Sequence, residues 1–408
     1  MYACHSAFTR GKGTNMITST NRVRTIFACA LAAALCLPAA TPALAEGTAD
    51  AGDAVAVAQA TQFKTMTATQ FLDNISGGQY STDLKNMESD YGYVVDGSSA
   101  TWNNIYNAIE MMEGINKMRA SRGLGELKID STLFYMQVLE ADINDSRTYR
   151  GHSDYCWSHS ARNLAWGTGS PSGAVDMWMG EEAEYNKFIA SNPDAKGLST
   201  WDFYEKYSEE SQKVGHFLNL TDSSLKYQGG GFGNANGNNA WAWGASTYQV
   251  GNSYTTAQFR QMADAVSTQD MYRLYNPNSG EHFYTASIAE RNSIIAAGWK
   301  YEGIGWTAPR KSNTPVYRLY SGTDHHYTTS ADERDNLVSL GWKYEGIGWC
   351  SDDAKGTPLY RQFNPNVNPS APRNNSGSHN YTTSKAENDN LVSLGWRAEG
   401  IGWYGVKQ

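Results

Sequence analysis

Gly298-Trp-Lys-Tyr-Glu-Gly-Ile-Gly-Trp306 recurs as Gly341-Trp-Lys-Tyr-Glu-Gly-Ile-Gly-Trp349 and again as Gly395-Trp-Arg-Ala-Glu-Gly-Ile-Gly-Trp403. Such self-similarity is the signature of a repeat architecture. Working outward, the first copy also holds Tyr272-Arg-Leu-Tyr275 and Glu281-His-Phe-Tyr-Thr285. The second holds Tyr317-Arg-Leu-Tyr320 and Asp324-His-His-Tyr-Thr328, and the third Tyr360-Arg-Gln-Phe363 and His379-Asn-Tyr-Thr382. Trp299 and Trp342 are 43 positions apart, whereas Trp342 and Trp396 are 54 apart. The third copy therefore carries an insertion, the polar stretch around Asn366 to Ser376.

Both short segments alternate as strands do, and Asn276 to Gly280 joins them as a turn. Ser287 with Glu290, Ser330 with Glu333, and Ser384 with Glu387 read as capping boxes that open a helix. Gly298, Gly341 and Gly395 end that helix. The spacing predicts three β-β-α-β units, at about 270–309, 314–350 and 357–404, within a C-terminal domain 268–408. One unit cannot bury its own apolar face, so the three are expected to pack as one pseudo-threefold body, trefoil-like or propeller-like. Trp299, Trp306, Trp342, Trp349, Trp396 and Trp403 are candidates for glycan binding, because an indole ring stacks on the apolar C–H face of a sugar. The plainer alternative is that they are core. His282, His325 and His379 share one repeat position. A structural histidine bonded within its own repeat is expected there, rather than a threefold metal cluster. The unit resembles a family of tandem repeats of unknown function at the ends of secreted bacterial proteins. That resemblance implies an accessory module for cell wall or glycan.

The whole chain has 408 residues, room for two or three domains. Its 33 basic and 41 acidic side chains leave a net charge of −8, which argues against a nucleic-acid partner, since binding phosphates needs a basic surface. With 25 Tyr and 13 Trp, the composition is not that of a disordered chain. Residues 16–45 place Arg22 and Arg24 before an apolar run from Ile26 to Leu37, and end on Ala43-Leu-Ala45. This reads as a secretory signal peptide, so residues 1–45 are set aside and an extracellular, secreted or surface-attached protein is expected. No later apolar stretch approaches the ~20 residues of a transmembrane helix. Removing residues 1–45 also removes three of five cysteines. Cys156 and Cys350 remain, in different domains, where export permits a disulfide.

Residues 46–104 read as a linker and an unassigned lead-in. From Ile105 an amphipathic helix is clear, with Ala108, Ile109, Met112 and Ile115 on one face and Gly123 at its end. A second helix runs from about Ser131. Tyr227 to Gly233 and Ala240 to Ala245 read as a hairpin. Helices followed by paired strands predict an α+β layered domain over 105–250, with 251–267 as a linker.

Four stretches then fall in order: Ile115-Asn116-x-x-Arg119, Gly151-His152-Ser153, Asn163-Leu-Ala-Trp-Gly167, and Trp178-x-x-Glu181 followed by Gly215-His216-Phe217-x-Asn219. The set resembles the CAP superfamily of cysteine-rich secretory, antigen 5 and pathogenesis-related-1 proteins, in its bacterial form. The resemblance implies an α-β-α sandwich with two histidines and two glutamates in a cleft. His152, His216 and Glu181 match three of them. The fourth position, before Asn-Leu-Ala, is Arg162 rather than a glutamate. Two imidazoles and two carboxylates suit zinc. A guanidinium among them is expected to pair with Glu181 and oppose the metal, with the loop residue His159 as a possible substitute ligand. The expected function is a non-catalytic secreted binding protein: a cleft for a small lipid or peptide, and repeats that hold surface glycan. One alternative is a hydrolase using a His–Glu pair, although Gly-x-Ser-x-Gly and His-Glu-x-x-His are both absent and Ser153 is only a sequence neighbour of His152. The other is an adhesin in which the repeats carry the function.

Overall fold

A computed structural model describes residues 65–146, 149–156, 159–368 and 377–407. The signal segment read in 1–45 and most of the third-copy insertion lie outside the described residues. Two helices, Ala68–Ser76 (α1) and Gln79–Tyr91 (α2), precede the long helix Trp102–Ser121 (α3). Lys128–Asp130 (β1) leads into Ser131–Asp145 (α4). Ala161–Ala165 (β2) is followed by Pro171–Met179 (α5), Glu182–Ser191 (α6), Thr200–Lys206 (α7) and Ser208–Thr221 (α8). Tyr227–Gly233 (β3), Ala240–Ser246 (β4), Ser253–Tyr254 (β5) and Thr256–Val266 (α9) complete this unit.

The sheet order is β2-β4-β3-β1-β5, with β1 parallel to β3 and the remaining pairs antiparallel. Its centre is the glycine-rich β3. Gly229, Gly231 and Gly233 face α4, while Gly230 faces α3. A Cβ at Gly231 would overlap the Gln137 carbonyl, so only glycine lets the helix backbone come this close. Helices thus cover both faces, which is the α-β-α sandwich. Ile105, Ala108, Ile109, Met112 and Ile115 are fully buried, as their spacing predicts. Gly123, at φ +71°, follows the end of α3. Nearly every residue of α4 is buried, because this helix has structure on all sides.

One side of α4 is covered by the lead-in, which the sequence left unassigned. Phe71, Leu72 and Ile75 of α1 and Tyr80 and Met87 of α2 all enter the main core. The segment 251–267, expected as a linker, is another core element. Its Phe259 lies 5.7 Å from Phe71, ring to ring, and the Met66 N–H donates to the Val266 carbonyl. The two flanking segments close over the sandwich together.

The first repeat is Thr268–Tyr275 (β6), His282–Thr285 (β7), Ile288–Ala296 (α10) and Lys300–Pro309 (β8). The second is Pro315–Tyr320 (β9), His325–Thr328 (β10), Ala331–Ser339 (α11) and Lys343–Cys350 (β11). The third is Thr357–Phe363 (β12), His379–Thr382 (β13), Lys385–Ser393 (α12) and Arg397–Gly405 (β14). Each repeat keeps its own three-stranded antiparallel sheet, with its first strand in the centre. Separate sheets are the propeller-like alternative rather than a closed trefoil barrel.

Side chains join the three sheets. Trp306, Trp349 and Trp403 form a triangle with ring centroids 5.3–5.7 Å apart. Around it, the Tyr284 hydroxyl donates to the Tyr381 carbonyl and the Tyr381 hydroxyl to the Tyr327 carbonyl, while the Tyr327 hydroxyl accepts the Tyr284 N–H. A third ring is ionic. Arg273 bridges Glu302 of its own repeat and Glu387 of the third. Arg318 bridges Glu345 and Glu290, and Arg361 bridges Glu399 and Glu333. The capping boxes are therefore only half made. Ser287, Ser330 and Ser384 accept the expected N–H bonds, but each partner glutamate turns outward to the next repeat's arginine. A charge-assisted bidentate pair is worth more than the second capping bond.

Candidate functional site

Trp178 sits at the end of α5 and donates its indole N–H to the Leu164 carbonyl of β2, which fixes the helix on the sheet. Three residues on, Glu181 reaches α8. One carboxylate oxygen lies 2.6 Å from His216 Nδ1, and the other accepts the His216 and Phe217 N–H groups at 2.9 and 3.1 Å. His216 thus donates through Nδ1, leaving Nε2 as a lone-pair nitrogen on a partly exposed side chain. The backbone behind it is pinned as well. Asn163 of β2 donates to the His216 carbonyl, and Asn219 donates to Asn163 Oδ1 and the Arg162 carbonyl.

His152 lies close to both Arg162 and His216. Burial first, then Arg162, then His216 pushes its pKa down from 6.5 to about 3. Its Nδ1 is buried with no hydrogen-bond partner. His152 thus has Arg162 and His216 as neighbours, and His216 in turn holds Glu181. The pairing inside the group differs from expectation. Arg162 does not bond Glu181, whose oxygens are taken by α8. It donates instead to the Ser153 carbonyl at 2.7 Å, and its charge faces Glu140.

Glu140 is the participant that sequence reading missed. It is buried in α4 and accepts both the N–H and the hydroxyl of Ser153. Burial raises its pKa, and Ser153 and Arg162 work against that rise. A signal was present: Glu140 and Asp142 are acids within the mostly apolar run from Leu133 to Ile143, and a buried acid requires a partner. His159, read as a loop residue and possible ligand, is instead wedged over Gly244. Its Nδ1 lies 3.1 Å from the Cys156 carbonyl and its Nε2 3.1 Å from Gln137, so neither nitrogen is available to a metal. Cys156 and Cys350 are both free thiols, not a bridge. Burial, then Glu140, pushes the Cys156 thiol well up, which makes it inert.

The donor set does not fit zinc. Among the described residues no group of three or more His, Cys, Asp or Glu side chains is placed to hold a metal ion. The guanidinium of Arg162 occupies the place where the resemblance calls for a carboxylate. A unit charge at ~4 Å is worth about 4 kcal/mol at an effective dielectric of 20, here against a cation.

One consequence is measurable. His152 is expected to stay neutral down to about pH 4, read from imidazole nitrogen shifts by NMR. Arg162→Gln removes a positive neighbour, so the titration should move upward. The unfolded histidine binds its proton below pH 6.5 and the folded one only near 3. Stability is therefore present above 6.5 and falls as pH drops through that window, by at most about 1.4 kcal/mol per unit. A His152 that titrates near 6.5 in the unaltered chain would remove Arg162 from the account.

In the repeats, Trp306, Trp349 and Trp403 are 4, 2 and 2% exposed. They are the core triangle and offer no face to a sugar, so the plainer reading holds for these three. Trp299, Trp342 and Trp396 are half-buried and keep surface. His282, His325 and His379 lie beside the strand glutamates of their own repeats, with Nε2 3.4, 3.5 and 3.3 Å from Glu302, Glu345 and Glu399. They are structural, and no cluster of the three forms.

Residues 112–252 match the model of the cysteine-rich secretory protein family, CAP. Residues 270–406 match a domain of unknown function, DUF5648. A search of curated proteins finds no match to the chain. The middle of the chain is a CAP domain, and the threefold domain follows it.

Proposed function

We propose that this CAP-domain protein is a secreted or cell-surface binding protein without turnover. Its His–Glu cluster takes a small lipid or peptide ligand, and its C-terminal repeats hold cell-wall or surface glycan. The observation that carries this reading is the position of Arg162. After burial, it is the next cause that keeps His152 neutral, and it stands where the resemblance calls for a carboxylate. The nearest hydroxyl of the motif, Ser153, donates to Glu140 and is not offered to His216. CAP proteins are typically extracellular, and no helix of the described residues is long and apolar enough to cross a membrane.

A second reading, hydrolysis, has one observation in its favour. The Glu181–His216 contact orients an imidazole as a general base would be oriented. The two readings separate on purified full-length protein incubated with peptidoglycan, peptides and lipid esters. No turnover is expected. Turnover that His216→Ala abolishes would overturn the binding reading. Retention on cell-wall fractions is expected to vanish when 268–408 is deleted, and retention that survives would remove the repeats as the anchor.

A further inference from the structure

The three repeats meet at three equivalent interfaces, and one of them lacks its filling. Where the second repeat's hairpin meets the first repeat's helix, Phe283 occupies the gap. Its ring is 4.8 Å from His325 and 6.1 Å from Trp299. Where the third hairpin meets the second helix, His326 occupies the same place, 4.5 Å from His379 and 6.1 Å from Trp342. Where the first hairpin meets the third helix, the equivalent residue is Asn380. Its cross-strand partner changes with it: Leu274 pairs with Phe283, Leu319 with His326, but Gln362 with Asn380.

The shorter amide leaves a cavity of about 210 Å³, bordered by Tyr275, His282, Asn364, Asn380, Glu387 and Trp396. That is below the roughly 300–1,000 Å³ of drug-sized sites and suits a single small ring. Trp396 has no ring packed on it, unlike Trp299 and Trp342, among the aromatic contacts of the described residues. The polar wall is built rather than incidental. Asn380 is 1% exposed and is held by Gln362 Oε1 at 2.9 Å and Glu387 Oε1 at 3.2 Å. Glu387 is neutralised by Arg273, so the cavity has no net charge to attract an ion. At the first interface, Glu281 also caps His325 Nδ1 at 2.6 Å. The residue in Glu281's place at the open interface is Ser378, which bonds Asp324 and His379 and sets no carboxylate on His282.

We propose that this notch binds one pyranose ring of a neutral glycan. Trp396 is the stacking surface, and the edges of His282, Tyr275 and Glu387 supply hydrogen bonds to hydroxyls. An indole face beside polar groups that carry no net charge is what a sugar ring presents a complement to: apolar C–H on one face, hydroxyls at the rim. The proposal rests on the glycan-binding reading of the repeats and narrows it from six tryptophans to one.

The test uses the full-length chain with three matrices: cell-wall sacculi, chitin and amorphous cellulose. Trp396→Ala and the pair Gln362→Leu with Asn380→Phe are compared with the unaltered protein. The pair copies Leu274 and Phe283 of the first repeat into the third, so it fills the notch with side chains the repeat already accommodates. Both variants are expected to lose about tenfold in retention on the matrix that binds, while near-UV circular dichroism and the thermal midpoint of the paired variant stay close to the parent. Soluble monosaccharide should elute the parent. Losses that follow Trp299→Ala or Trp342→Ala instead, or that are equal at all three tryptophans, overturn the notch and leave glycan binding by the repeats intact. An unaltered chain that none of the three matrices retains overturns both.

Discussion

Trp349→Ala is expected to unfold all three repeats in one transition, at a cost of about 3–5 kcal/mol. Trp349 is 2% exposed and touches Trp306, Trp403 and Tyr327, each in a different strand of the shared core. Truncation opens a cavity on the pseudo-threefold axis that no single sheet can close, because the sheets share no backbone ladder. Against a typical domain stability of about 5–15 kcal/mol, this is about a fifth or more of the total. Trp349→Phe gives the contrast. The indole nitrogens of Trp306, Trp349 and Trp403 are buried without an acceptor among the described residues. Phenylalanine keeps a ring and drops one of these unpaired donors, so its cost should stay under about 1.5 kcal/mol. Denaturant unfolding followed by near-UV circular dichroism and tryptophan fluorescence reads both. Two separated transitions in the alanine variant would mean that the repeats do not depend on one another through this triangle.

The repeats were legible because their signals are local. Gly298, Gly341 and Gly395 lie at φ +94° to +95°, and a glycine is the residue that takes that conformation freely. The two flanking segments carry local signals too. Thr67 with Gln70 and Thr255 with Gln258 are complete capping boxes, and Phe259, Met262, Ala263 and Val266 follow helical spacing. They lie outside the stretch that resembles the family, so no motif of that family points to them. Helix α2 was harder, since only Tyr80 and Met87 of its 13 residues are buried, seven positions apart. The direction of Arg162 was not legible at all. Its neighbour Glu140 is 22 positions earlier on another element, and only the packing of α4 against the sheet brings the two together. Which tryptophans point inward had the same limit. Trp306 lies within β8, where it sits across from Met271 of β6, while Trp299 precedes that strand at the helix-ending glycine.

Arg162→Glu is expected to supply the carboxylate that the cluster lacks, so that the variant binds one zinc per chain. The substitution removes a positive charge from the neighbourhood of His152 and adds a carboxylate on β2. Glu181 already fixes His216 through Nδ1, as an outer carboxylate fixes a metal-binding imidazole, and His216 Nε2 is left for the ion. His152, the new glutamate and His216 would make three protein ligands, a set that suits zinc with one open position. Without metal, the variant should be less stable than the parent. Glu140 loses its cation and gains a like charge, and the bond from Arg162 to the Ser153 carbonyl is lost. Breaking such a buried arrangement costs about 3–5 kcal/mol. Zinc at a hundredfold excess over its Kd returns about 2.7 kcal/mol to a state that binds it only when folded. Thermal unfolding with and without zinc, paired with calorimetric titration, measures both terms. Arg162→Gln separates them, because it removes the charge without supplying a ligand and should raise the pKa of His152 while leaving zinc unbound. If the unaltered chain takes up zinc at one per molecule, the guanidinium does not govern the site, and the argument for a metal-free binding cluster fails with it.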